Sequence, residues 1–332
     1  FKELREWILE FLGSLQSTTM AVSRIDGICS LAEVSQANNY VRPEMSDDGA
    51  LSISDGRHPV IEILREGQYI PNSLQLDNKQ RQLMILTGPN MGGKSTYMRQ
   101  TALICVMAQA GCFVPASSAR LGIVDRVFTR VGAHDDLVHG HSTFMVEMLE
   151  LANILRNATP DSLVLLDEIG RGTSTFDGLA LAWAVSEELH AGKGVKTMFA
   201  THYHQLTDVS SILDRSINCH MQAKEDGHEL TLLHRVAEGP TDASFGIHVA
   251  KMAGVPEEVL VRARKVLKKL EEGSTIEVSK VGPVQSIFST EFGARSEAKE
   301  NPILDEIRKM DLMNLTPLQA LEKLHDVQKR LL

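Results

Sequence analysis

The chain has 332 residues, of which 43% are apolar and 23% are charged, and its formal net charge is −9. This length and apolar content predict one large core with smaller appendages. The acidic balance argues against a broad nucleic-acid-binding surface, because neutralising phosphates needs clustered Lys and Arg. No apolar run reaches the roughly 20 residues that span a bilayer, and no signal peptide opens the chain, so we expect a cytoplasmic protein.

The first residue and the cysteines add two expectations. Because the sequence begins with Phe1 rather than methionine, we expect it to be a piece of a longer polypeptide. Its cysteines are spaced too widely for a zinc knuckle or a small disulfide framework, so we interpret them as reduced core thiols. They are Cys29, Cys105, Cys112 and Cys219.

The chain opens with residues typical of long amphipathic helices. Apolar residues recur at helical spacing over 4–15 and 25–32, and these helices resemble the end of another domain. Apolar clusters at 51–53 and 60–64, on either side of Asp55-Gly56, then predict two short strands. A core α/β domain is predicted to begin there.

Strand-like and helix-like runs alternate from residue 83 onward. The predicted strands are 83–86, 163–166 and 197–200, and the predicted helices are 95–109, 144–155 and 179–190. This alternation indicates a mostly parallel sheet covered by helices. Strands at 220–223 and 230–233 flank Asp226-Gly227, a hairpin signal that predicts an antiparallel edge.

Helical patterns and one polar stretch complete the chain. Two helices are predicted at 245–253 and 256–272, with a break at Gly254. Residues 273–300 are rich in Ser, Glu and Gly and predict a flexible linker. The tail 301–332 is predicted to be helical, with a capping box that begins at Thr316.

The segment Gly88-Pro-Asn-Met-Gly-Gly-Lys-Ser95 fits the phosphate-loop pattern and lies between an apolar strand and a helical run. In such a loop, backbone N–H groups surround the phosphates, Lys94 reaches the outer phosphates and the Ser95 hydroxyl ligates Mg²⁺. An ordinary Gly-rich turn is the alternative, but it leaves Lys94, Ser95 and the strand-to-helix context unexplained. We therefore predict nucleotide binding.

Two carboxylates and a histidine follow apolar strands and are candidates for the chemistry. Asp167 is predicted to bind magnesium, and Glu168 is predicted to activate water, at the carboxyl edge of the sheet. A surface acidic pair is the alternative. A carboxylate base beside a metal ligand favours hydrolysis over transfer to a second substrate. His202 should emerge at the same edge, where it either senses the outer phosphate or is structural.

Two further polar segments admit more than one interpretation. Ser142 precedes an amphipathic helix and is either a helix cap or a phosphate ligand, and its chemistry alone favours the cap. The loop 170–178 directly follows the carboxylates and is either functional or an ordinary surface loop.

Four motifs stand out along the chain: Thr87–Gln100, Ser142–Met148, Asp167–Thr175 and Phe199–His204. Taken together and in this order, they resemble the C-terminal ATPase part of bacterial members of the MutS family of DNA mismatch-repair proteins. Asn90-Met91 favours the mismatch-repair branch over paralogues that act on recombination intermediates. The similarity runs from the opening helices to about Glu272, and the tail is similar more loosely.

The resemblance implies an α/β P-loop NTPase of the ABC-ATPase type, with a mostly parallel sheet, flanking helices, an antiparallel edge and helical appendages at both ends. It also implies a homodimer in which ATP and Mg²⁺ lie between the phosphate loop of one subunit and the signature loop of the other. The implied regions are the end of the lever domain (1–40), the ATPase domain (41–242), a helix-turn-helix dimerisation element (243–272), the linker (273–300) and an oligomerisation tail (301–332).

The resemblance assigns roles to individual residues. Glu168, Lys94 and His202 are implied to be catalytic, and Ser95 and Asp167 to hold the metal. Ser142 is implied to reach the partner's nucleotide in trans, and Asp177 to lie in the loop that crosses the dimer axis. The implied nucleotide contacts are Tyr69, Gly88, Pro89, Asn90, Met91, Gly92, Gly93, Lys94, Ser95, Thr96 and His234. Tyr69 would stack on adenine, although an edge aromatic is the alternative.

The implied function is ATP-driven switching of a clamp that recognises DNA mismatches. Mismatched DNA would bind through upstream domains. The implied protein partners are a MutL-type repair protein and further copies of the chain, which would form a tetramer through the tail. The compartment is then the nucleoid-associated cytoplasm. Gln285–Phe288 resembles a sliding-clamp-binding peptide but is one residue short of the pattern. A DNA-reading role for 245–261 is disfavoured because glutamates offset its cations.

Two alternatives remain at this point. A chromosome-cohesion or excision-repair relative needs a long insertion between Gln100 and Ser142, and none is present. A scaffold that does not hydrolyse ATP conflicts with the intact Lys94 and Glu168.

Overall fold

The computed structural model describes residues 1–65, 68–131, 143–226, 229–241 and 245–271. It divides into two compact units, Phe1–Glu257 and Glu258–Leu332. The predicted linker, the tail with its helix at Thr316, and the peptide Gln285–Phe288 lie outside the described residues.

Eight α-helices and ten strands make up the described residues. The helices are α1 (Lys2–Glu10), α2 (Leu12–Ala37), α3 (Ile61–Leu64), α4 (Lys94–Gln109), α5 (Thr143–Asn157), α6 (Thr175–Glu187), α7 (Gly246–Met252) and α8 (Glu257–Glu271). The strands are β1 (Glu44–Ser46), β2 (Leu51–Gly56), β3 (Asn72–Leu76), β4 (Leu83–Thr87), β5 (Ser118–Gly122), β6 (Val127–Arg130), β7 (Leu163–Asp167), β8 (Lys196–Ala200), β9 (Ser216–Asp226) and β10 (Glu229–Glu238). A π-helical turn at Glu188–Gly192 extends α6, and a 3₁₀ segment spans His204–Ser211.

The larger sheet has six strands in the order β10-β9-β4-β8-β7-β6. All neighbouring pairs are parallel except β9 with β10, which is antiparallel. Every residue of β4 and β8 is buried, as is typical of parallel strands covered on both faces. The predicted mostly parallel sheet with an antiparallel edge is therefore confirmed.

The strand register brings the carboxyl ends of three strands together. Thr87 at the end of β4 pairs with His220, and Asp167 at the end of β7 pairs with Ala200. Chain segments that follow β4, β7 and β8 consequently leave the sheet at one edge. Ligands of open α/β sheets bind at such an edge.

A second, four-stranded sheet has the order β1-β5-β2-β3 and was not predicted as a unit. Its buried residues Leu51, Leu74 and Leu121 share one apolar cluster with Met98 and Cys105 of α4. A second cluster joins α5 and α6 to the central strands. Helix α4 therefore packs within the larger core, which fixes the position of the loop that precedes it.

The prediction of a strand at 60–64 is wrong, because Ile61–Leu64 is the short helix α3. The His58 ring explains the difference: its Nδ1 accepts the N–H groups of Val60 and Ile61, at 3.3 and 3.4 Å. These are the orphan donors of a helix N-terminus, and the cap satisfies them. The strand that pairs with β2 is instead β3, whose buried and exposed residues alternate.

The opening helices are confirmed, and their apolar residues are exposed in the described part of the molecule. Trp7 is 57% exposed and contacts Phe11 edge to face, with ring centroids 5.3 Å apart. The prediction of core thiols is confirmed for Cys105 and Cys219, which are buried, and is wrong for Cys29, which is exposed on α2, while Cys112 is half-buried. None of the described helices combines the length and apolarity that crossing a membrane requires.

We expect His190 to make the fold sensitive to mild acid. The side chain is 6% exposed, and among the described residues neither ring nitrogen has a hydrogen-bond partner. Burial and then the nearby Arg215 charge lower the His190 pKa, which Asp214 opposes. The folded state therefore binds fewer protons than the unfolded state at mildly acidic pH. The free energy of unfolding is consequently unaffected by His190 above its ordinary pKa of 6.5 and decreases as the pH falls below that value.

Urea unfolding at pH 7.5 and pH 5.5 tests this expectation. The loss of unfolding free energy between the two pH values should be smaller in His190→Phe than in the unsubstituted protein, because the phenyl ring cannot bind a proton. Equal losses in both proteins would contradict it.

Candidate functional site

The loop between β4 and α4 has a backbone that only glycines or strained residues adopt. Gly88 and Gly93 have φ angles of 124° and 105°, and Met91 has 63°. A Cβ atom added at Gly88 would lie 3.0 Å from Met221 Cβ, tighter than ordinary contact. Side chains at the two glycines are therefore disfavoured, as in a loop that wraps closely around a ligand.

Lys94 is buried at the start of α4. Its Nζ donates hydrogen bonds to the carbonyl oxygens of Gly88 and Pro89, at 2.8 and 3.2 Å. Burial lowers the Lys94 pKa, and the charges of Glu168 and Asp167 oppose that effect. The ammonium group is thus held beneath the loop by the loop's own backbone.

Ser95 and Asp167 form a pair that fits a magnesium ion bound with phosphates. The Ser95 hydroxyl donates to Asp167 Oδ2, while the buried Oδ1 has no hydrogen-bond partner among the described residues. Burial, and then the Glu168 charge, raise the Asp167 pKa against the Ser95 hydrogen bond. The described residues contain no group of three His, Cys, Asp or Glu side chains that could hold a metal alone. Mg²⁺ normally takes one or two protein oxygens and completes its shell with water and phosphate.

Glu168 is held by two cationic or donor side chains. His202 Nε2 lies 2.8 Å from Glu168 Oε1, and Arg171 lies 2.6 Å from Oε2. A carboxylate only accepts, so the His202 hydrogen is on Nε2, and the 3.4 Å approach of that atom to Lys94 Nζ is not a hydrogen bond. Burial raises the Glu168 pKa, but the hydrogen bond from His202 and the Arg171 charge outweigh it and keep the pKa below its ordinary value.

The Glu168 backbone is strained, with a φ angle of 59°. Its N–H donates to the Ala200 carbonyl at the end of β8, at 2.9 Å. A non-glycine residue in this conformation costs of order 1–3 kcal/mol, and such residues concentrate at functional sites. The contacts with β8 hold the side chain at the carboxyl edge despite that cost.

Two adjoining clefts open over the loop. The base cleft has a volume of about 80 Å³ and is lined by Tyr69, Ile70, Asn72, Tyr97, Met221 and others. The phosphate cleft has a volume of about 420 Å³ and is lined by Lys94, Ser95, Glu168 and residues of the loop. Arg65, Met91, Gly93, Thr96 and His234 line both clefts. The arrangement suits an elongated ligand with an apolar ring at one end and anionic groups at the other.

His234 reaches the loop from an irregular strand. The register of β10 against β9 shifts between Leu232 and Val236, and His234 has a φ angle of 50°. Such bulges re-aim side chains. His234 Nδ1 donates to the Gly92 carbonyl oxygen at 3.0 Å.

The buried side-chain amides of Gln100 and Asn72 connect the base cleft to α4 and to β10, and we did not predict these contacts from the sequence. Tyr69 donates to Gln100 Oε1 at 2.7 Å, which ties the base cleft to α4. Asn72 donates to the His234 carbonyl at 2.9 Å and accepts from the Val236 N–H at 2.7 Å. Gln100 ends one of the four motifs, whereas Asn72 stands in a stretch with no sequence signal.

The loop after β7 is held by close backbone contacts. Gly170 N–H donates to the buried Glu147 carboxylate at 2.6 Å, and its carbonyl accepts from Tyr203 Oη at 3.0 Å. A Cβ added at Gly170 would lie 2.6 Å from the Gly178 Cα. Gly170 and Gly178 are therefore closely packed against each other, whereas Arg171, Gly172 and Ser174–Asp177 between them are exposed.

The structure brings most of the predicted site residues to one edge of the sheet. His202 contacts Lys94 and Glu168, and Ser95 contacts Asp167. The predicted residues that line the two clefts include Tyr69, Pro89, Asn90, Met91, Gly93, Thr96 and His234, whereas Gly88 and Gly92 line neither. Asp177 lies apart, in the first turn of α6, where Ser174 caps its N–H. Ser142 lies outside the described residues.

Comparison with known proteins identifies the family. The family model described as MutS domain V matches residues 84–271, which is more than half of the chain. The chain belongs to the MutS family. The matched segment begins in β4, ends with α8 and contains the loop, both carboxylates and His202.

Individual relatives agree with the family match. The chain is 49% identical to the DNA mismatch repair protein MutS of Methanosarcina mazei and 50% identical to that of Methanococcoides burtonii, over 100% and 99% of its length. The MutS protein of Listeria monocytogenes is 45% identical over 100% of the chain. The chain spans 39% to 40% of the length of these relatives. It is similar to a C-terminal part of MutS.

Proposed function

We propose that this chain binds and hydrolyses ATP with Mg²⁺, as a P-loop NTPase of the ABC type. The observation that carries the proposal is the meeting of Lys94, the Ser95–Asp167 pair and the Glu168–His202 pair beneath one phosphate-sized cleft. Each group alone has a structural explanation. Their combination favours phosphate chemistry, because it places a cation, a metal-ligand pair and a restrained carboxylate together at the end of parallel strands.

The loop and Lys94 would bind the phosphates. Backbone N–H groups at the start of α4 and the Lys94 ammonium supply positive charge where the phosphate oxygens would lie. Ser95 and Asp167 would hold Mg²⁺, which, when bound, neutralises charge on the phosphate oxygens. The unpartnered Asp167 Oδ1 supports this assignment.

Glu168 would accept a proton from the attacking water. Its lowered pKa keeps it ionised at neutral pH, as a base requires. His202 and Arg171 each occupy one acceptor site on a different oxygen, and each oxygen retains a second lone pair that can accept from a water. His202, which touches both Glu168 and Lys94, would couple the carboxylate to the occupancy of the phosphate cleft.

We further propose that the site is completed in a homodimer and that its nucleotide state switches a mismatch-recognition clamp. The proposal is supported by the similarity to DNA mismatch repair protein MutS and by the match to MutS domain V. Under this proposal, Ser142 acts in trans and 243–272 is the dimerisation element. The other proposed regions are the end of the lever domain (1–40), the ATPase domain (41–242), the linker (273–300) and the oligomerisation tail (301–332). The proposed partners are mismatched DNA and a MutL-type protein, and a sliding clamp is a further candidate partner. The tail would join dimers into a tetramer.

The concentration dependence of Mg²⁺-dependent phosphate release tests the composite site. We expect the rate per subunit to rise with protein concentration, because two chains complete each site. A rate per subunit that stays constant over a range where light scattering reports monomers would contradict it.

Mixed dimers test the role of Ser142. Ser142→Ala and Lys94→Met should each be inactive alone, but a mixed dimer retains one intact site. Equal mixing with random pairing leaves about a quarter of the sites intact, so a comparable fraction of the activity should return. Failure of the mixture to regain activity, with mixed dimers detected by a tag, would show that Ser142 does not act in trans.

A further inference from the structure

Arg65 occupies the junction of the two clefts. It follows α3 directly and lines both the base cleft and the phosphate cleft. Among the described residues that line them, Lys94 and Arg65 are the two lysine or arginine side chains. Lys94 is buried and lines the phosphate cleft, whereas Arg65 is exposed and, like His234, lines both clefts.

The Arg65 guanidinium is available to a ligand. The residue is exposed, and its side chain has no ion pair or hydrogen bond with any other part of the described chain. Its charge reaches the base cleft, since it lowers the Tyr69 pKa against the larger effect of burial, which raises that pKa to about 12. Lys94, by contrast, is bonded to two backbone carbonyls.

The backbone that carries Arg65 is anchored. Its N–H donates to the Ile61 carbonyl at 3.0 Å, and His58 caps the other end of the same turn. Arg57 and Glu62 form an ion pair of 2.7 Å beside it. These local contacts fix the backbone of the turn that carries the long side chain.

We propose that Arg65 is a further nucleotide-binding residue, which contacts the phosphate nearest the ribose of a bound nucleoside diphosphate or triphosphate. The inference rests on the proposed function. If the base lies beside Tyr69 and the outer phosphates lie over Lys94, the ribose and its first phosphate lie at the junction that Arg65 lines. A guanidinium is always charged and binds phosphate oxygens through two parallel N–H groups.

Equilibrium binding of MgADP and MgATP to Arg65→Gln tests this inference. Both dissociation constants should rise about three- to tenfold, because both nucleotides carry the phosphate nearest the ribose and the contact is partly screened by water. The effect should shrink between 50 mM and 500 mM salt. Arg235→Gln is the matched control, since Arg235 is exposed, carries the same charge and lines neither cleft.

The outcomes separate the inference from the proposed function. Equal affinity of Arg65→Gln and the unsubstituted protein for both nucleotides, or a loss confined to MgATP, would overturn the Arg65 contact and leave the proposed function standing. An equal loss in Arg235→Gln would also overturn it, because general charge would then be the cause. If the unsubstituted protein binds neither nucleotide, the proposed function itself fails.

Discussion

Lys94→Met is expected to weaken MgATP binding by at least about 100-fold, because it removes the buried cation beneath the phosphate cleft. Charge-assisted hydrogen bonds in a partly buried site are among the strongest single contacts to phosphate. Methionine keeps the apolar stem, which packs at the start of α4. The measurement is the dissociation constant of a fluorescent ATP analogue.

The controls for Lys94→Met separate binding from folding. Lys79→Met removes an equal charge from an exposed position and should bind nucleotide as the unsubstituted protein does. Thermal unfolding should show that Lys94→Met retains a cooperative transition, because the apolar cluster that packs β4 against α4 is unchanged. Unimpaired nucleotide binding by a folded Lys94→Met would remove the basis of the proposed function.

Glu168→Gln is expected to slow Mg²⁺-dependent phosphate release about 10²- to 10³-fold while nucleotide binding persists. The amide keeps the size of the side chain but cannot take a proton from water, and general bases contribute rate factors of this order. It also loses the ion pair with Arg171. Single-turnover phosphate release, started by mixing prebound ATP with Mg²⁺, isolates the chemical step from nucleotide exchange.

Glu33→Gln, at an exposed position of α2, is the matched control for Glu168→Gln and should hydrolyse ATP at the unsubstituted rate. If Glu168→Gln binds ATP and turns it over as fast as the control, Glu168 is not the base. The Ser95–Asp167 pair would then be the next candidate to examine.

The parallel sheet could be predicted because its signals are local. Strands β4, β7 and β8 contain the apolar runs 83–86, 163–166 and 198–200, which are followed by the glycine-rich loop, by two carboxylates and by Thr201-His202, and amphipathic runs lie between them. The four-stranded sheet escaped prediction because its strands are short and pair over long distances, such as Leu51 with Leu121. The same stretch contains α3, where the His58 cap outweighed an apolar, strand-like composition.

Within the site, the sequence by itself determined the phosphate loop, the paired carboxylates and the histidine after β8. Each of these is recognised from residue types next to an apolar strand, and parallel strands must end at one edge. Only the tertiary structure decided which groups hold them. Gln100 under Tyr69, Asn72 under the His234 bulge and Arg65 at the cleft junction all depend on distant segments meeting, whereas Arg171 reaches Glu168 from only three residues further along the chain. A hydrogen bond between residues 162 positions apart leaves no periodicity or spacing in the sequence, so folding alone could reveal it.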